Sequence, residues 1–177
     1  MNYVAEIDAA LKSTGEIHSS DYLRWATEGD LSSRARLYEL TRTGWSRIQP
    51  EPEFADHSEF VVDYLMECLV TNPEEDDYVH GGFTAGHELA VWVKHLINTG
   101  QDRGAVERVA QALASAYKTG DGTTRNRIET GFLEHALEAR AVRPSFAFWA
   151  ADPVLQEGHR LSLEWGVAHE DSETDSR

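Results

Sequence analysis

The chain has 177 residues, 41% of them apolar, with five Trp, six Tyr and six Phe, enough large side chains for a real core and against intrinsic disorder. Sixteen basic against thirty-one acidic residues give a net charge of −15, which disfavours unaided binding to nucleic acid or anionic membranes and favours basic partners. The apolar runs are too short to span a bilayer, Met1-Asn2-Tyr3-Val4-Ala5-Glu6 lacks the pattern of a signal peptide, and the lone Cys68 reads as an inert buried thiol, so a cytoplasmic protein is expected.

In chain order, helical periodicity dominates and strand signals are scarce. Val4, Ile7 and Leu11 mark a short amphipathic helix over residues 2–12. Ser19 or Ser20 is the expected cap of a second helix carrying Tyr22, Leu23 and Trp25 and ending near Gly29. Asp30 caps a third, with Leu31, Leu37 and Leu40, that stops at Gly44. Gln49-Pro50-Glu51-Pro52-Glu53 is a breaker, read as a linker between an N-terminal helical subdomain (1–49) and a main bundle (50–169).

From about Ala55, Phe60, Val61, Tyr64, Leu65, Cys68 and Leu69 form a broad apolar helix face that Asn72-Pro73 terminates. Phe83, Leu89, Trp92, Val93, Leu96 and Ile97 mark the next helix, closed at Gly100. Val106, Val109, Leu113 and Tyr117 mark another, closed at Gly120. Asp121 caps a helix with Ile128, Phe132, Leu133 and Leu137, and a short aromatic helix follows Arg143-Pro144. Asp152-Pro153 predicts the start of the last helix, carrying Val154, Leu155, Leu161 and Trp165. Residues 170–177 read as a flexible acidic tail, and the whole as one compact domain. The fold class is all-α: an antiparallel helical bundle or a short HEAT-like stack of helix pairs.

The negative charge is concentrated. No Lys or Arg lies between Arg47 and Lys94, whereas eleven carboxylates do: Glu51, Glu53, Asp56, Glu59, Asp63, Glu67, Glu74, Glu75, Asp76, Asp77 and Glu88. Asp56, Glu59, Asp63 and Glu67 are three, four and four apart, so they line the helix opposite its apolar face, with no basic residue inside the helix to relieve them. Glu51, Glu53 and the Glu74–Asp77 run extend the field. The expectation is a docking surface for a basic partner, the bland alternative a solvated face in an acidic proteome.

His80, His87, Glu88 and His95 form a candidate metal-binding region, though no His-Glu-x-x-His or Cys/His ligand spacing occurs. Gly81-Gly82-Phe83-Thr84-Ala85-Gly86 superficially suggests an anion cradle, but Asp77 and Glu88 flank it, and a turn into a helix is preferred. Phe146, Phe148, Trp149 and Trp165 read as core that locks the last helices in place. No catalytic, metal or cofactor residue is nominated.

Tyr117-Lys118-Thr119-Gly120-Asp121, Thr130-Gly131-Phe132-Leu133-Glu134-His135, Phe148-Trp149-Ala150-Ala151-Asp152-Pro153-Val154-Leu155 and Leu163-Glu164-Trp165-Gly166 resemble a group of small helical bacterial proteins. That group is similar to the immunity proteins of polymorphic or contact-dependent toxin systems. The resemblance extends more faintly through 58–97 and not to the first fifty residues. It implies a non-enzymatic protein that neutralises a cognate basic toxin, such as a nuclease, without binding nucleic acid itself. The alternatives are a metal-dependent hydrolase built on the histidine region and a structural or regulatory subunit that dimerises through the aromatic C-terminal part. Monomer and dimer both stay open.

Overall fold

The computed structural model describes residues 1–170, and they form an all-α fold made of two compact units. The first comprises Met1–Tyr64 and Pro73–His80; the second comprises Leu65–Asn72 and the chain from Gly81. Of the acidic tail expected at 170–177, only Glu170 falls among the described residues, where its carboxylate meets Arg143 at 3.2 Å.

In the first unit, α1 (Val4–Lys12) buries Ile7, α2 (Ser19–Glu28) buries Tyr22 and Trp25, and α3 (Leu31–Gly44) buries Ala35, Leu37, Tyr38 and Leu40. Asp30 caps α3 by accepting from the Ser33 amide at 3.0 Å, as its position before the apolar run predicts. The cap of α2 differs from expectation. His18, not a serine, fills it, its Nδ1 accepting from the Ser20 amide at 3.2 Å, which leaves Ser19 and Ser20 inside the helix.

Two short strands, β1 (Ile17–His18) and β2 (Ile48–Gln49), pair in parallel with Ile17 opposite Ile48, both buried. Arg47 reinforces the join, donating to the carbonyls of Gly15 (3.0 Å) and Ala10 (2.7 Å). The Gln49–Glu53 segment therefore lies within the first unit.

Helix α4 (Phe54–Thr71) has the broad apolar face its sequence predicts: Phe60, Val61, Tyr64, Leu65, Cys68 and Leu69 are all buried. The division between units falls inside it, between Tyr64 and Leu65. It ends at Asn72, whose φ of 48° is a left-handed stop that Asn tolerates better than most residues.

The second unit continues with α5 (Gly82–Thr99) and α6 (Arg103–Thr119), capped by Asp102. α7 (Gly122–Asn126) is capped by Asp121 and runs through a π-helical stretch (Arg127–Leu133) into α8 (Glu134–Glu138). Then come α9 (Arg143–Phe146), a 3-10 turn (Ala147–Ala151) and α10 (Gln156–Ala168). Arg127, only 4% exposed, donates to the carbonyls of Leu69 (2.9 Å) and Val70 (3.0 Å), satisfying the end of α4 that the Asn72 stop leaves open. Gly82 is glycine for the same reason. A Cβ there would lie 2.4 Å from the Arg127 Cδ.

Two predicted faces need correction. Asp152 does not start α10 directly. Its side chain accepts from the Val154 amide (2.9 Å) and its carbonyl from those of Leu155 (3.1 Å) and Gln156 (2.9 Å), so a full turn precedes the helix. Val154 and Leu161 are then 47% exposed, and α10 packs through Gly158, His159, Ser162 and Gly166 instead. Phe83, expected on the buried face of α5, is also exposed; Gly82, Ala85, Gly86, Leu89, Ala90, Val93 and Leu96 form that face. Of the aromatic cluster, Phe146 and Trp149 are fully buried and Phe148 and Trp165 are not.

Small residues face the core because the backbones approach closely. A Cβ on Gly86 would lie 2.9 Å from the Gly131 carbonyl carbon, and one on Gly166 2.8 Å from that of Leu137. Rigid backbone on the far side leaves no room to relax. G86A and G166A are each expected to lower stability by about 1–3 kcal/mol in urea unfolding. At Gly122, which has nothing within 4 Å, alanine should be neutral or slightly stabilising, and equal losses at all three positions would contradict the close-approach argument.

Candidate functional site

Nine of the ten carboxylates expected to bind a partner fall in the first unit; Glu67, half-buried, is the exception. Asp56, Glu59 and Asp63 are exposed on α4 and line a groove of about 290 Å³ with Leu23, Ala26, Thr27 and Phe60. The groove also holds Arg34 of α3. The acidic face is therefore not without a cation, and the reason is tertiary: Arg34 lies more than twenty positions earlier in the chain, where no helical spacing connects it with α4.

The acidic loop is partly structural too. Asp76 accepts from the amides of Tyr78 and Val79, both at 2.8 Å. Those two amides, first Val79 and then Tyr78, hold its carboxyl below the usual range, with Arg36 adding to the effect. The Arg36 guanidinium lies 3.9 Å from the centroid of the Tyr78 ring. Glu74, Glu75 and Asp77 are exposed on the same loop.

Glu51 and Glu53 line a second, separate cavity of about 470 Å³, together with Thr41, Trp45, Pro52, Phe54 and His57. Trp45 and His57 face one another with ring centroids 4.4 Å apart at 43°, and Tyr22 meets the Trp45 ring edge-on at 5.9 Å. The Trp45 indole N–H donates to Glu51 Oε1 at 2.9 Å, orienting that carboxylate beside the indole. His57 Nδ1 shares a 3.1 Å hydrogen bond with the buried Tyr22 hydroxyl. Burial holds the His57 imidazolium pKa down at about 4, so the ring is neutral near pH 7. The sequence pattern points to Glu51 and Glu53 but not to the aromatic half of this cavity. Its only trace was the spacing of Glu53 and His57 by one helical turn across a helix start.

The candidate metal region does not assemble. His80 belongs to the first unit, where its Nδ1 shares a 2.8 Å hydrogen bond with the Tyr64 hydroxyl and its ring meets Tyr38 edge-on at 5.2 Å. In the second unit His87 packs against His135 (4.7 Å) and His95 stacks on Trp92 (5.3 Å). Among the described residues no three of His, Cys, Asp and Glu converge as a metal-ligand set. At Gly81-Gly82, the Gly82 amide donates to Asn72 Oδ1 at 3.1 Å, so that turn joins the end of α4 to α5. No helix among the described residues is long and apolar enough to cross a membrane.

Compared with protein-family models, curated proteins and solved structures, the chain matches none. The functional reading therefore rests on its own residues.

The depressed His57 pKa makes stability depend on pH with a definite sign. In the unfolded chain the ring takes up its proton near the ordinary imidazole value of about 6.5; in the fold it does so only near 4. Stability present above about pH 6.5 is thus lost as pH falls towards 4, by about 3 kcal/mol in all. Urea unfolding at about pH 7.5 and 4.5 should show wild type losing about 2–3 kcal/mol more than H57Q. Equal losses would mean that His57 titrates normally.

Proposed function

We propose that this chain is a non-enzymatic binding protein whose first unit docks a basic partner, and that the partner is a bacterial toxin which it neutralises. The observation that carries the reading is the outward presentation of Asp56, Glu59 and Asp63 along a groove of the first unit. Glu51 and Glu53 add exposed negative charge to the same unit. Like charges at helical spacing cost about 0.2–0.5 kcal/mol per pair, so folding alone does not favour the arrangement. A cationic partner recovers that cost on binding and is steered to the site by the field before contact. Residues 117–166 resemble a group of small helical bacterial proteins that is itself similar to immunity proteins, and this resemblance supports a toxin as the specific partner. A toxin acting on nucleic acid suits the charge, because a surface built for a polyanion is basic.

The test begins with the neighbouring gene, where a secreted protein with a basic C-terminal toxin domain is expected, and proceeds to co-expression of that domain with this chain. Wild type is expected to protect the cell and to associate rapidly at low salt. D56K/E59K, changing two exposed side chains, is expected to slow association about tenfold at low salt, with the difference shrinking at about 0.5 M salt. Unchanged protection together with an unchanged association rate would remove the acidic surface from the mechanism.

A further inference from the structure

The cavity lined by Trp45, His57, Glu51 and Glu53 stands apart from the α4 groove in its chemistry. The groove contains Arg34; among the described residues, those lining this cavity include no Lys or Arg. Of the basic residues adjacent in sequence, Arg47 donates to the Gly15 and Ala10 carbonyls, and Arg42 lies 3.9 Å from Glu39. His57 is neutral near pH 7 because it is largely buried. The cavity thus combines two carboxylates with an indole, an imidazole and the Phe54 ring, against a buried Pro52. The cavity of about 550 Å³ in the second unit, by contrast, sets Arg108 beside Glu107 and has no net charge to select an ion.

We infer that this cavity receives an arginine side chain of the basic partner, the guanidinium lying against the Trp45 indole and donating hydrogen bonds to Glu51 and Glu53. The inference rests on the reading that a basic partner docks on this unit, and it names the anchor. Arginine fits better than lysine for physical reasons. A guanidinium is flat and weakly hydrated, so it stacks on an aromatic ring while its edge donates to carboxylates; an ammonium is a compact, strongly hydrated point charge. The Trp45 N–H to Glu51 bond fixes one carboxylate beside the ring before any ligand arrives, so little ordering remains on binding.

Acetylated tetra-arginine amide and tetra-lysine amide serve as probes, read by calorimetry and by the NMR signal of the Trp45 indole N–H. The arginine peptide is expected to bind, to move that signal, and to bind about fivefold or more tighter than the lysine peptide. E51Q/E53Q, on exposed side chains, and W45L, with its fold checked by circular dichroism, should each weaken it about tenfold. Equal affinity for both peptides would overturn the arginine assignment. Arginine-peptide binding that survives E51Q/E53Q and W45L but falls in D56K/E59K would overturn the cavity and leave the acidic groove standing. Absence of binding, or binding that none of these variants changes, would overturn both.

Discussion

Helix α4 has to bury Phe60, Val61, Tyr64, Leu65, Cys68 and Leu69, and a helix that buries those six positions has no choice about where the others point. Asp56, Glu59 and Asp63 are thrown outward together, like charges one turn apart. The magnitudes decide which demand wins. Each buried aliphatic or aromatic side chain contributes about 1.5–3 kcal/mol, against a few tenths for each like-charge pair. Core formation therefore fixes α4 and its acidic face at once, and Arg34 from α3 tempers the face without cancelling it.

The second unit depends on close backbone approach. Gly86 meets Gly131, and Gly166 meets Leu137, at separations that no side chain would permit. Arg127 answers the two carbonyls at the end of α4 from within the π-helical stretch, with Gly82 yielding space to it. A buried guanidinium is costly unless its donors are satisfied, and here the Leu69 and Val70 carbonyls and the Thr124 hydroxyl accept from Nε and Nη2.

Most of the helices were legible because their signals are local. Asp30 and Asp121 cap helices, Gly100 closes one at a φ of 67°, and Asn72-Pro73 stops another. The buried face of α10 was not legible, because periodicity counts large apolar residues whereas this helix packs through glycine and serine. Nor was the π-helical stretch, since a one-residue widening of a turn leaves no mark in an apolar pattern. At the candidate site, exposed carboxylates could be read from spacing along α4. Their neighbours could not: Arg34 comes from α3, and Trp45 and His57 meet across the Pro-containing segment. Such meetings are made by tertiary packing.

The first unit carries both a surface set by charge and an aromatic cavity set by shape. In the proposed reading, the surface speeds the encounter and the cavity discriminates. Hydrogen–deuterium exchange of the chain with and without acetylated tetra-arginine amide tests this proposal most directly. Exchange should slow in residues 41–63, which carry the cavity and the α4 side of the groove, and in residues 23–34, which carry its other side. Protection confined to the chain from Gly81 onward would contradict the account.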